Sequence, residues 1–232
     1  MFFFPLVWFL FHIHITLAGE INLSARQGPS PNFRSLVIGH GFLCVFGFAV
    51  LLPAGVLVAR YMRTFRPWWY IAHWIAQAAI GGPVILLGVV LGFLANKAYG
   101  DPETPHSDHK TWGTIILLLY VIQCILGAVI HYVKAKNATR RPPQNYLHAI
   151  LGLTILILGM YQIRTGYNEE WPHNVGGVLP RGVTSLWVVW CVLLPIAYAA
   201  GLYFIRKQYT QEAAARLGKG VQFPMSSFEA QV

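Results

Sequence analysis

Charge is what this chain most lacks. Of its 232 residues only 11% are Asp, Glu, Lys or Arg, where an ordinary soluble domain carries about a quarter. Acid is scarcest, with eight Asp and Glu against 17 Lys and Arg, for a formal net charge of +9. Cysteine is short too: Cys44, Cys124 and Cys191 all fall inside long apolar runs. An odd number so placed argues against a disulfide framework, and the thiols read as small apolar side chains. No Gly-rich phosphate loop, dinucleotide fingerprint or zinc-knuckle spacing occurs, which removes the usual sequence grounds for direct nicotinamide or flavin use and for nucleic-acid binding.

What is present is hydrocarbon, at 56% of residues, laid out in long stretches. Runs free of Asp, Glu, Lys and Arg cover residues 1–19, 35–59, 67–96, 111–133, 142–163 and 182–205. A helix needs about 20 mostly apolar residues to cross a bilayer, and each of the last five runs reaches that length. Nothing alternates in the manner of a barrel strand. The expected fold is therefore an all-α membrane protein: a four-helix transmembrane bundle plus one peripheral C-terminal helix. Its helices are placed at about 35–60, 68–96, 110–133, 144–164 and 183–205. Residues 1–19 read either as a signal peptide or as a short first transmembrane helix, having an apolar centre but no basic leader. Residues 20–34 form an outer segment, 97–108 and 166–181 are Pro- and Gly-bearing outer turns, and 207–232 is a polar tail. Within that tail Gln211–Leu217 has the composition of a short helix.

The basic residues set the orientation. With 20–34 outside, the inner segments hold Arg60, Arg63, Arg66, Lys134, Lys136, Arg140, Arg141, Arg206, Lys207, Arg216 and Lys219. That is 11 of the 17, and the positive-inside rule selects this topology, with the C-terminus cytoplasmic. Glu20, Asp101, Glu103, Asp108, Glu169 and Glu170 fall outside. The basic surplus is thus accounted for without nucleic acid.

Histidine carries the chemical signal. His40, His73, His109 and His148 each stand near the start of a successive span, and the fifth span has none. Consecutive spans are antiparallel, so His40 and His109 share the outer side, and His73 and His148 the inner. In an up-down-up-down bundle, first and third helices face across one diagonal and second and fourth across the other. Each diagonal then presents two imidazoles at one depth, the ligand set of a bis-histidine haem iron. At 1.5 Å per residue the two levels stand roughly 20 Å apart. Gly113 and Gly152, four residues after His109 and His148, and Gly127, on the His109 face, would let a flat macrocycle approach. His131 sits two residues from the inner end of its span and is assigned an interfacial or propionate-contacting place. His106 and His173 fall in outer loops, and His12 and His14 in the first stretch.

With these neighbours the four histidines resemble the cytochrome b561 family, in particular the version found with extracellular DOMON domains in fungi. The likeness is carried by GHGFLCVFGFAVLLPAGVLVARYMR, WWYIAHWIAQ, HSDHKTWGTIILLLYVIQCILGAVIHYV and RPPQNYLHAILGLTILILGMYQIRTGYNEEW, within about Ser35 to Arg206. The resemblance implies two haem b groups, an outer one on His40 and His109 and an inner one on His73 and His148. It implies an oxidoreductase passing electrons from a cytoplasmic donor, commonly ascorbate, to monodehydroascorbate, a ferric chelate or a partner redox protein outside. Arg63, Arg66, Arg140 and Arg141 are the candidates for holding the donor, because ascorbate is an anion and a guanidinium offers it paired hydrogen bonds. Lys110 and Arg164, with His131, are the candidates for meeting haem propionates. The inner loop departs from the ascorbate signature of the vesicle members. Residues 20–34 leave no room for a DOMON domain ahead of the helices, so an extracellular redox protein is expected as a separate chain. The implied partners are membrane lipid, the small-molecule donor, that redox protein and a second copy forming a homodimer. The expected location is the plasma membrane or an endomembrane. The competing readings are a histidine-lined proton or metal-ion transport protein and a non-catalytic haem-bearing membrane anchor.

Overall fold

Lipid cannot hydrogen-bond a peptide group, so each apolar run must close its backbone bonds on itself. The computed structural model describes residues 30–99, 107–133 and 141–216, and among these it holds five helices long and apolar enough to cross a membrane. They are α1 (Phe33–Thr64), α2 (Trp69–Ala98), α3 (Asp108–Tyr132), α4 (Pro143–Asn174) and α5 (Arg181–Ala215). No strand occurs among the described residues. The first run, residues 1–19, lies outside them, as does Arg140.

Local chemistry explains the ends. Ser107 caps α3, its hydroxyl accepting from the Lys110 backbone N–H at 3.3 Å, and Asp108 adds negative charge to the first turn. Pro143 opens α4, where its missing N–H costs nothing. Gly176 and Gly177, at φ of 84° and 76°, supply the left-handed turn between α4 and α5.

Helices α1 and α2 pack along much of their length, as do α3 and α4, and the two hairpins meet face to face. Their shared core is Phe48 and Leu52 of α1, Ile85 of α2, Ile116 and Tyr120 of α3 and Ile155 of α4. Ile85 is fully buried because α1 offers Gly47 beneath it, where a Cβ would stand 2.5 Å from Ile85 Cγ1. With no hydrophobic drive between helices in lipid, this close packing is what holds them together. The outer skin is apolar as well, Phe42, Ile157 and Leu186 being about two-thirds exposed, a surface suited to acyl chains.

Helix α5 lies at the side and places no residue of Arg181–Ala200 in the core. It docks through polar tips: Trp187 Nε1 donates to the Met160 carbonyl at 2.9 Å and Trp190 Nε1 to the Ala49 carbonyl at 2.7 Å. Arg60 donates to the Tyr198 hydroxyl and Tyr61 to the Ala197 carbonyl. Ala49 sits in a π-helical stretch, Phe46–Leu51.

Two helices outrun their expected ends. Residues 166–174, expected as part of an outer turn, continue α4 through a π-helical stretch, Gly166–Glu170, and a last turn, Trp171–Asn174. The expected polar tail begins as helix, Ile205–Arg216. It is docked, with Gln208 Nε2 donating to the Arg60 carbonyl at 2.6 Å and to Thr64 Oγ1 at 3.1 Å. Gln211 donates to the Thr64 carbonyl at 3.2 Å.

Candidate functional site

Four histidines project into the bundle as two facing couples. His40 of α1 and His109 of α3 have ring centroids 6.0 Å apart and planes 86° apart. At the other end His73 of α2 and His148 of α4 stand at 6.3 Å and 71°. The core residues lie 7 to 12 positions along from these histidines, counted within each helix, so they fill the space between the two couples.

The hydrogen bonds recorded at these rings all fall on Nδ1. His40 Nδ1 meets the Gly88 carbonyl at 2.8 Å, and His73 Nδ1 meets the Gly55 carbonyl at 2.8 Å. A carbonyl only accepts, so Nδ1 carries the proton and Nε2 keeps its lone pair. His109 Nδ1 lies 2.9 Å from Thr165 Oγ1. That hydroxyl spends its own proton on the Gln162 carbonyl at 3.0 Å, which again leaves Nδ1 as the donor. His148 differs: its Nδ1 is buried without a partner, and the ring rests against Gly127, where a Cβ would come 3.0 Å from Cε1.

The couples suit one metal each. An imidazole nitrogen binds a first-row metal at about 2 Å and the ring centre lies about 1.1 Å beyond, so rings on opposite sides of one iron have centroids about 6.2 Å apart. The observed 6.0 and 6.3 Å bracket that value. Among the described residues no three His, Cys, Asp or Glu gather into a larger metal cluster. Two imidazoles per site, with Nδ1 of His40, His73 and His109 anchored on a second partner, form a donor set that would fit a haem iron.

Of the other expected residues, Arg63 and Arg141 come together through a residue the sequence did not single out. Glu212 forms ion pairs with Arg63 and, at 3.2 Å, with Arg141. Its side chain is only 12% exposed. Arg141 also donates to the Tyr209 hydroxyl at 3.0 Å, and Arg63 lies over the Trp69 ring at 5.1 Å. Arg66 is exposed and Arg140 falls outside the described residues. His131 stacks on Tyr70, centroids 3.9 Å apart and planes 7° apart. Arg164 lies 5.5 Å over Trp187, and Lys110 follows His109 at the start of α3.

The glycines behave differently from expectation. Gly113 and Gly152 face glutamine amides, and Gly127 faces the His148 ring, so these close approaches are filled by neighbouring helices. Three glutamines and a threonine were not foreseen: Gln77 donates to the Leu52 carbonyl at 2.7 Å and its own carbonyl accepts from Tyr120. Gln123 and Gln162 donate to the histidine backbones, and Thr165 holds His109. For the glutamines, polarity inside an apolar run was the available signal; Thr165 lies just past the end of the fourth run.

Membrane helices that gather imidazoles into two facing couples define a multi-pass membrane protein with two candidate metal sites. The model of eukaryotic cytochrome b561 matches residues 39–173, more than half the chain and all four histidines. The chain belongs to the cytochrome b561 family, whose members transfer electrons across membranes and bind haem b. A cytochrome b561 and DOMON domain-containing protein of Arabidopsis thaliana is 31% identical over 127 residues, 55% of this chain and 33% of that protein. A second, also of Arabidopsis thaliana, is 25% identical over 206 residues, 85% of this chain and 47% of that protein. The chain thus spans a third to about half of these relatives' length. Methyl viologen resistance protein SmvA of Salmonella typhimurium is 24% identical over 88% of this chain and 41% of its own. No solved structure matches the chain.

Proposed function

We propose that this protein carries electrons through two haem b groups, His40 and His109 holding the outer one and His73 and His148 the inner. The observation that carries the reading is the spacing of two imidazole couples, each near 6 Å, at opposite ends of one bundle. Haem supplies a one-electron couple spread over a flat conjugated ring. The chain does the rest. With two imidazoles on each iron no position would be open to oxygen or peroxide, and transfer would be outer-sphere. Carbonyls at Gly55 and Gly88 hold Nδ1–H and raise the donor strength of Nε2. Phe48, Leu52, Ile85, Ile116, Tyr120 and Ile155 exclude water between the two levels.

By the charge rule the His73 and His148 end is cytoplasmic. There Arg63, Arg66, Arg140 and Arg141 draw an anionic donor, for which ascorbate is the leading candidate, to the inner site. Outside, Lys110 and Arg164 would meet the haem carboxylates, and the acceptor would be monodehydroascorbate, a ferric chelate or a separate redox protein. The chain sits in the plasma membrane or an endomembrane, and a homodimer is compatible with its uncovered apolar faces.

Haem-to-protein ratio with a redox titration tests this directly: two haems per chain and two midpoints are expected, and a ratio of one defeats the reading. In liposomes with ascorbate inside and ferricyanide outside, transfer without any added protein is expected, and its absence would leave only the anchor role. Arg141→Ala should slow reduction by ascorbate about tenfold, ~1.4 kcal/mol of lost donor binding, with haem content unchanged. Unaltered kinetics would remove Arg141 from the donor site. His131→Leu should keep both haems, because its ring is committed to Tyr70; loss of the inner haem in a haem assay would make His131 a ligand instead.

A further inference from the structure

Helices α3 and α4 carry one pattern twice. In α3 it is His109, Gly113, Gln123 and Gly127; in α4, with identical spacing, it is His148, Gly152, Gln162 and Gly166. The helices are antiparallel neighbours, so the glutamine end of each lies beside the histidine end of the other. Gln123 Nε2 donates to the His148 carbonyl at 2.7 Å, and Gln162 Nε2 donates to the His109 carbonyl. The glycines make this approach feasible: a Cβ on Gly152 would stand 2.7 Å from Gln123 Nε2, and one on Gly113 3.0 Å from Gln162 Nε2. The histidine rings sit against Gly127 and Gly166 in the same reciprocal way, each 3.0 Å from the position of a Cβ.

Both amides hold a second peculiarity in common. Oε1 of Gln123 and Oε1 of Gln162 are buried with no hydrogen-bond partner. A buried acceptor left empty is unfavourable, and two in equivalent places indicate that the donating end of each amide is what matters.

We propose that Gln123 and Gln162 are positioning residues acting crosswise. Gln123 sets His148 and therefore the inner haem, although it shares a helix with an outer ligand; Gln162 sets His109 and the outer haem. The inference rests on the ligand assignment proposed above. Its physical basis is that a side chain leaves its backbone along a fixed bond into a few staggered rotamers, so the direction of an imidazole follows where its peptide is held. The two sites are not equally dependent. His109 has Thr165 on its Nδ1, whereas the Nδ1 of His148 has no partner, so the Gln123 bond to its carbonyl is the polar restraint recorded at that ligand.

The test uses the full chain with haem bound and the variants Gln123→Met and Gln162→Met, which keep length and lose the donor. Low-temperature EPR of the oxidised protein reads imidazole orientation, and a redox titration reads each midpoint. Gln123→Met should move the signal and midpoint of the component that is missing from His148→Leu and leave the other in place. Gln162→Met should do the converse to the component missing from His109→Leu, by a smaller amount. The proposal is overturned if Gln123→Met moves the His109 component, moves both together, or moves neither. Should Gln123→Met not fold, Gly152→Ala presses on the same amide with every polar group kept, and an unmoved His148 component in that variant overturns it equally. The ligand assignment has its own control, since His73→Leu and His148→Leu should lose one and the same component. Should they lose different ones, that assignment fails, while a Gln123 variant that still moves the His148 component sustains the positioning role.

Discussion

His109→Leu is expected to lose the same haem as His40→Leu, and His148→Leu the same haem as His73→Leu. Each single variant should fall from two haems per chain to one, halving the dithionite-reduced α-band and removing one of two midpoints. The basis is that each ring has one facing partner near 6 Å, so on the proposed ligation removing either imidazole would take away half of the protein ligands of one iron and none of the other. The surviving site should persist because the packed layer of Phe48, Leu52, Ile85, Ile116, Tyr120 and Ile155 lies between the couples. Leucine fills the vacated volume without adding a polar group, which limits the loss of packing to the ligand itself. Should His40→Leu and His73→Leu lose the same spectral component, the couples are wrongly drawn, and the architecture with them. Loss of all pigment from a folded single variant would show that the two levels are not independent.

The parts of this arrangement that periodicity and burial dictate were legible in the residues. Five apolar runs gave five helices because, without the alternation of barrel strands, only a helix satisfies their backbone in lipid, and the depth of each histidine along its run gave its facing ring. What escaped was polarity doing structural duty. The end of the fourth apolar run at Arg164 marks where side chains leave hydrocarbon, but the helix continues to Asn174 because its backbone bonds need no lipid. Arg206 and Lys207 likewise end an apolar run without ending a helix, since Gln208, buried to 3% exposure, ties the next turns to α1. The glycines were readable as sites of close approach, yet residue type alone does not say what approaches. Here it is a ring or an amide from the neighbouring helix. Glu212 was invisible for a related reason: it stands 71 residues from Arg141 and 149 from Arg63, and only the docked final helix brings them together.

Glu212→Gln should have the second largest effect, and it should appear in two places. The carboxylate bridges Arg63 and Arg141 while only 12% exposed. Exposed pairs contribute about 0.2–1 kcal/mol each, and removing one partner of a fully buried pair costs about 3–5 kcal/mol. Two pairs at this intermediate depth therefore place the loss at about 1.5–3 kcal/mol. Every 1.4 kcal/mol is a factor of ten in an equilibrium, so the terminal helix should undock about ten to a hundred times more often. Tryptic cleavage after Arg206 and Lys207 should accelerate by the same factor while opening remains fast relative to cleavage. The second effect follows from charge. With the carboxylate gone, both guanidiniums lose an internal anion and local charge rises by one, so an anionic donor should bind more tightly. A unit charge at about 4 Å is worth about 1 kcal/mol with full water screening and about 4 kcal/mol at the lower dielectric near a protein surface, and the lower figure corresponds to about a fivefold fall in KM for ascorbate. A cationic reductant should show no such gain, and added salt should shrink the difference because the interaction is screened. If cleavage accelerates while the KM for ascorbate stays fixed, Glu212 only fastens the last helix and the arginines beneath it do not receive the donor. If neither quantity changes, the carboxylate contributes nothing to holding that end of the bundle closed.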